Sequence, residues 1–563
     1  MKYFNRLIII ALSFLVNSSC TEQHSTFEGN YFSYDSDKKF ITLNPKSGDT
    51  VKRSKVVIHV TSLPATLNTT HNYSGISDII SGYTCKYLVK RDYKTGLLNA
   101  DLATWYSKDS DVNSVYYKLN EQYWGDSSLV SALDVLFSFK VYSMPLVNNS
   151  YAKAYLKKLD SISVSDDSSV RFKFKDLTIF NSLMSLGFPI LKESFFDPNF
   201  NLRSISFQQV KSNTNFEHNQ ELINSISKKI NTLNISIDNF NEYNAGAYKV
   251  LNFEPKTKIT LVNKSYTNST SPDTIVFTVN KNPTVTKLNF QDNNYDISFS
   301  LDKTNFEALL KSNASSDYNF IKISTPSYWY MAFNTTSNSS IVSKTKFRKA
   351  IQLIMPKEQI AKLVLNHDSS YWTTIDFTNQ WSMFSPIKTN TAIGLTLLNE
   401  FITANPTIAE ASFSLLYNSE DKETTEIVQL IVGEFAKHSI KVEANGLMGE
   451  ALISKRSSGD FEALLGTWGM SKYPNDLSQL WQQASESTNT NFTGFGSSYT
   501  DSLLTKMNTT SDSVKLLTIR KELRDSINNQ VPYIFLFNDV RYAVINKKIR
   551  ITLFNEKPYF QFN

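Results

Sequence analysis

Val115-Tyr116-Tyr117-Lys118-Leu119-Asn120-Glu121-Gln122-Tyr123-Trp124-Gly125-Asp126, continued by Ala132-Leu133-Asp134-Val135-Leu136-Phe137-Ser138, is the stretch on which the fold turns. Val115, Tyr117 and Leu119 alternate with Tyr116, Lys118 and Asn120, the period of two that suits a strand with one buried face. Gly125-Asp126 punctuates the strand, and Ser131 precedes the next apolar run as a helix cap would. The spacing predicts strand, turn and helix, and it carries no chemistry of its own.

Working outward to the amino end, residues 1–20 read as an export signal. Lys2 and Arg6 flank the start, Leu7 to Val16 form an apolar core, and Asn17-Ser18-Ser19 precede Cys20. That core falls well short of the ~20 residues a permanent spanning helix needs. Cleavage before Cys20 with lipid on its sulfur would leave a tethered protein in the cell envelope, facing the periplasm or the exterior; a plain secretory signal with Cys20 as a bystander is the alternative. The polar residues 21–50 then read as a tether, with Phe27, Tyr31, Phe32 and Tyr34 leaving room for partial docking onto the body. Once Cys20 is lipidated only Cys85 remains, so no internal disulfide is expected, and Cys85 among Ile79, Ile80, Tyr83 and Leu88 reads as a buried structural thiol.

A chain of 563 residues exceeds one hydrophobic core and should divide into lobes. The formal charge of +6 is carried by basic residues that are scattered rather than striped, which argues against nucleic acid as a partner. Strands are expected at Lys55–Val60, Arg171–Lys175, Ser412–Tyr417 and Lys441–Ala444, with a helix over Thr424–His438 making a parallel crossover. Leu222, Ile226, Ile230 and Leu233 mark one amphipathic helix inside an Asn- and Lys-rich excursion over residues 204–243, read as a surface elaboration, with a ligand-contacting lid as the alternative. Gly246 is expected in a turn that needs positive φ.

No catalytic constellation emerges. His24, His59, His71, His218, His367 and His438 form no i, i+4 pair and have no cysteine cluster beside them, so no metal site is nominated. Neither a nucleophile elbow nor a phosphate-binding lysine loop is present; Gly494-Phe495-Gly496-Ser497 lacks the lysine and reads as a loop. Asp166-Asp167 and Glu420-Asp421 lie where acids serve turns and helix starts. No enzyme activity and no cofactor are expected.

The opening stretch resembles a segment of the bacterial extracellular solute-binding proteins of family 5, the oligopeptide- and dipeptide-binding type that serves ABC importers. Leu63-Pro64-Ala65-Thr66-Leu67-Asn68, Leu102-Ala103-Thr104-Trp105, Asn244-Ala245-Gly246-Ala247-Tyr248, Phe347-Arg348-Lys349-Ala350 and Val531-Pro532-Tyr533-Ile534 resemble further family segments in the same order. The resemblance implies an α/β fold, a two-lobed periplasmic-binding-protein clamp (type II, cluster C-like) with a small domain inserted in the first lobe. The expected division is lobe I over 51–86, small domain II over 87–175, lobe I again over 176–327, lobe III over 328–537 and a return to lobe I over 538–563. Crossings are expected near Tyr328–Tyr330 and Phe537–Arg541. The implied partners are a peptide or other small extended ligand, the permease subunits of an ABC transporter, and the membrane through an N-terminal lipid, with the protein a monomer.

In peptide binders of this family an acid three residues after a tryptophan pairs with the peptide amine. Here Trp468-Gly469-Met470-Ser471-Lys472-Tyr473-Pro474-Asn475-Asp476 places Ser471 at that point. The resemblance implies Trp468, Gly469, Ser471, Tyr473 and Asp476 as ligand-binding residues, with Asp476 displaced into the anchoring role or a ligand without an amine. A non-peptide ligand, an oligosaccharide or a metal chelate, is the alternative, as is a surface interaction lipoprotein without a transport role.

Overall fold

The computed structural model describes residues 31–34, 40–43, 54–70, 75–91, 98–108, 111–149, 152, 156, 158–175, 187–212, 217–264, 271–337, 340–365, 375–376, 382–384, 387–408, 410–468, 477–483, 491–510, 513–554 and 560–562. The chain forms two compact units, residues 1–323 with 541–563 and residues 324–540.

Unit 1 begins with two short strands, β1 (Tyr31–Tyr34) and β2 (Phe40–Leu43), inside the segment expected as a tether. Strand β3 (Lys55–Val60) follows, then helix α1 (Gly75–Thr84), whose end delivers the buried Cys85. Strands β4 (Ala103–Lys108), β5 (Asp111–Leu119), β6 (Leu159–Asp166) and β7 (Ser169–Phe174) make an antiparallel sheet in the order β4-β5-β7-β6. Between β5 and β6 runs helix α2 (Ala132–Ser143). Helix α3 (Glu217–Thr232) and strands β8 (Tyr248–Glu254), β9 (Lys258–Asn263), β10 (Thr274–Val279) and β11 (Ile297–Leu301) complete the first pass. The main ladder of this unit runs β8-β9-β10-β3-β11, with β10, β3 and β11 mutually parallel.

The long strand β12 (Tyr318–Phe333) carries the chain into unit 2 between Ile323 and Ser324, upstream of Tyr328–Tyr330. Unit 2 contains α4 (Thr345–Ile354), β13 (Ala411–Asn418), α5 (Lys422–Ala436), β14 (Ile440–Leu447), α6 (Gly449–Ser458), β15 (Ala463–Trp468) and α7 (Ser513–Gln530). Strand β16 (Tyr533–Asn546) returns the chain to unit 1 between Val540 and Arg541, where β17 (Ile551–Phe554) and β18 (Phe560–Phe562) end it. Within unit 2, β12 pairs with β15 antiparallel, while β15, β13 and β14 are parallel, with α5 as the expected crossover. Tyr328 to Phe333 are all buried, the composition of a strand covered on both faces.

The opening sequence does what its pattern predicts, and the reasons are local. Val115, Tyr117 and Leu119 are buried while Lys118 and Asn120 are exposed. Ser131 and Asp134 form a reciprocal capping box at the start of α2. Buried Asp134 also accepts from Glu193 N at 2.8 Å and from Trp124 Nε1 at 3.4 Å, tying the turn, the helix and the start of the short helix Glu193–Phe196 to one carboxylate. Gly125 is required because a Cβ there would lie 1.7 Å from the Asn241 carbonyl oxygen. Asp126 bonds Ser128 and the Lys192 ammonium. This string is therefore a packing joint of unit 1.

Gly246 corrects an expectation. Its φ is not positive; instead a Cβ would sit 2.2 Å from the Thr84 carbonyl carbon and 2.4 Å from its oxygen, so glycine is needed for close backbone approach. The excursion over residues 204–243 also contributes more than surface: Ile223, Ile226 and Ile230 of α3 are buried in the core of unit 1.

Candidate functional site

Trp468 is the last residue of β15, and its Cα is paired with Tyr328 of β12. Because side chains alternate along strands, Tyr328 and Tyr330 share a face with Trp468 and Gly466. Gly466 stands opposite Tyr330, and a Cβ there would come within 3.1 Å of the Tyr330 hydroxyl oxygen, so the missing side chain makes room for the ring.

That face carries an aromatic cluster. Tyr330 stacks on Tyr533 with centroids 4.5 Å apart and planes 8° from parallel. Phe492 lies against both, at 6.3 Å from Tyr330 and 6.1 Å from Tyr533, and Trp481 meets Tyr533 edge-on at 4.8 Å. Trp468 packs half-buried at its margin. The guanidinium of Arg456, on α6, sits 5.8 Å from the Phe492 ring centre. Its Nε is shielded from solvent without a hydrogen-bond partner, and no carboxylate pairs with it among the described residues. Burial raises the Tyr330 and Tyr533 hydroxyls well above the ordinary tyrosine range, with Arg456 opposing the effect. Trp481 Nε1 is likewise buried and unpartnered.

The half-buried members, Arg456, Phe492 and Trp468, suit recognition: a guanidinium with no carboxylate partner among the described residues can take one, and exposed ring faces accept planar or apolar groups, while Tyr330, Tyr533 and Trp481 are buried and support them from within the core. Among the described residues no group of three or more His, Cys, Asp or Glu side chains could hold a metal ion, and no helix is long and apolar enough to cross a membrane.

Of the residues expected at the site, Trp468 stands as described. Gly469, Ser471, Tyr473 and Asp476 lie outside the described residues, as does Cys20. Arg456, Phe492, Tyr330 and Tyr533 were not singled out as site residues by the sequence. A lone arginine on a helix reads as a solvated charge, and its approach to Phe492 depends on tertiary packing that no local spacing announces.

The model of the bacterial extracellular solute-binding proteins, family 5 Middle, matches residues 98–491. The chain belongs to this family. No curated protein matches it in sequence. Among solved structures it is similar to DppA from Helicobacter pylori, an ABC transporter-associated periplasmic binding protein in complex with the peptide STSA; identity is 18%, the TM-score 0.67, and the match covers 88% of this chain and 95% of that one. It is similar to the oligopeptide-binding protein AppA from Bacillus subtilis in complex with a nonapeptide, at 16% identity and a TM-score of 0.65 over 87% of this chain and 94% of that one. It is also similar to NikZ from Campylobacter jejuni in complex with Ni(L-His), at 17% identity and a TM-score of 0.66 over 88% and 95%. At such identities the likeness shows the fold, the two-lobed α/β architecture of this family.

Proposed function

We propose that this family 5 solute-binding protein captures a peptide or peptide-like ligand and delivers it to the permease subunits of an ABC importer, held at the cell envelope by lipid on Cys20. The observation that carries the reading is the extent of the family match, residues 98–491, together with likeness in fold, over 87–88% of this chain, to proteins solved with bound peptides. Capture is coupled to a hinge motion of the units about the two strand crossings, at Ile323–Ser324 and Val540–Arg541. Gly469, Ser471, Tyr473 and Asp476 contact the ligand in this reading, with Asp476 displaced into the amine-anchoring role that Ser471 cannot fill, and Trp468 forms an aromatic wall beside them. Arg456 supports a ligand that also presents an anionic group, since a half-buried guanidinium gains most from a charged partner.

A second reading, a non-peptide ligand, is favoured by Ser471 standing where an amine anchor would need an acid. Calorimetry on a matched pair of peptides, one with a free amino end and one acetylated, separates the two. Equal affinity indicates a peptide site without an amine anchor. A loss of about 2 to 5 kcal/mol on acetylation indicates that another acid, Asp476 first, holds the amine. Binding of neither peptide overturns the peptide reading.

A further inference from the structure

The segment between Cys20 and the first core strand has a tether's composition, yet two parts of it are built into unit 1 sheets. Strand β1 adds in parallel to β12 in the register Tyr31 with Phe320, Phe32 with Ile321, Ser33 with Lys322 and Tyr34 with Ile323. Strand β2 adds antiparallel to β17, from Phe40 opposite Phe554 to Leu43 opposite Ile551, and the Leu43 side chain is buried in the unit 1 core. Two separate attachments thus hold one short stretch of chain.

The position of the first is informative. Strand β12 borders β16 on one side; on its other side it is paired along Tyr328–Phe333 by β15 and along Phe320–Ile323 by β1. Phe320, Ile321 and Ile323 are buried. Without β1 this edge would offer unpaired backbone donors and acceptors beside buried apolar side chains, a template for pairing with another chain. Pairing by β1 ends opposite Ile323, the last residue of unit 1 before the crossing. Tyr31, Phe32 and Tyr34 are residue types that favour extended chain.

We infer that the edge of β12 at Phe320–Ile323 is a strand-binding surface whose occupant is the chain's own Tyr31–Tyr34, making the amino-terminal segment a strap that fixes where the anchor leaves the body. The consequence is one of length. A tether free over residues 21–50 could reach roughly 100 Å, at ~3.3–3.6 Å per residue. With β1 docked, the chain between Cys20 and the body is Thr21–Asn30, whose ten residues span at most about 35 Å. The strap holds unit 1 close to the membrane at the entrance to one crossing strand and leaves unit 2 without a direct link to the anchor. The membrane consequence rests on lipid at Cys20; the docking of β1 does not.

The docking is tested in the full chain carrying Cys20→Ser, which removes the lipid and leaves the buried Cys85 as the one native thiol. Ser33→Cys with Lys322→Cys places thiols on directly opposed residues of a parallel pair, within disulfide range. Ser33→Cys with Asn319→Cys shifts the partner three residues, about 10 Å along the strand and out of range. Mild oxidation should bridge the first pair and not the second, read by mass spectrometry of the digested chain. Equal bridging of both pairs, or of neither, overturns the strap. Hydrogen exchange gives a readout without new thiols: deleting Tyr31–Tyr34 should speed exchange within Phe320–Ile323 by about tenfold while Tyr328–Phe333 stays protected. Unchanged exchange at Phe320–Ile323 would equally overturn it. Because both experiments use unlipidated protein, failure of the lipid anchor is a separate result, seen only as wild-type protein absent from the membrane fraction.

Discussion

Replacing Arg348 with Met should cost unit 2 about 2–4 kcal/mol, and the structure shows why. Arg348, on α4, is 2% exposed. Its Nε donates to Gln530 O and Val531 O, each at 3.0 Å, and Nη1 donates to Val342 O at 2.9 Å and Ser343 O at 2.7 Å. Nη2 donates to Gln530 O at 2.5 Å and to Thr345 Oγ1 at 3.1 Å. One side chain therefore ties the start of α4 to the junction of α7 and β16, the segment that leads into the second crossing. Met fills much of the volume but donates nothing. Of the carbonyls left behind, those of the buried Val342 and Val531 are out of reach of water, and each unsatisfied acceptor costs ~1–3 kcal/mol. Against this, burial disfavours the guanidinium, pushing its pKa down to about 10, so removing the charge returns part of the loss. Lys at this position keeps the charge but cannot reach carbonyls on both segments, so Arg348→Lys should fall between Met and wild type. Urea unfolding of the full chain, with m of about 2 kcal/mol/M, should show the Met midpoint lower by about 1–2 M. A change below about 0.5 kcal/mol for Arg348→Met would refute the assignment of Arg348 as the bond between these segments.

Other outcomes follow from the same structure. Gly246→Ala forces a Cβ into the Thr84 backbone and should destabilise unit 1 by about 1–3 kcal/mol in thermal or urea unfolding, whereas Gly433→Ala, where a Cβ meets nothing, should not destabilise. The Cys85 thiol is pushed up to about 11 by burial, with the Thr84 hydrogen bond and Lys90 and Lys264 opposing, so iodoacetamide at pH 8 should label it only once the chain is unfolded; rapid native labelling would contradict this. Burial acts to raise the Asp126 carboxyl, but its bonds from Lys192 and Ser128 outweigh burial and hold it at about 2, below its ordinary 3.8. Its contribution to stability is therefore present above about pH 4 and lost as pH falls towards 2, so Asp126→Asn should flatten the decline of melting temperature across that window. If ligand capture closes the units about the two crossings, small-angle scattering should show a smaller radius of gyration with bound ligand; binding with no change in radius would count against the hinge.

Much of the architecture is legible where the cause is local. The alternation at Val115–Asn120 and the capping pair Ser131 and Asp134 are set by near neighbours, and the β-branched run Lys55–Val60 is marked by its own composition although its partners lie more than 200 residues later, so pattern and structure coincide. Strands β1 and β2 are not legible in the same way, because their partners lie in β12 and β17, hundreds of residues later, and the polar residues around them look like linker. Gly246 shows a related limit: a glycine announces a backbone constraint, but only the approach of Thr84 reveals that the constraint is space rather than φ. At the candidate site, Trp468 is placed by a strand pattern, while Arg456 and the Tyr330–Tyr533 stack are assembled from segments far apart in sequence.

The central claim, that this family 5 protein carries a peptide-like solute, is tested most directly by native mass spectrometry of the chain purified from its own cells, with the released ligand sequenced. The account predicts one bound peptide or peptide-like molecule per protein, lost on denaturation. Release of a sugar or a metal chelate in that stoichiometry would contradict it.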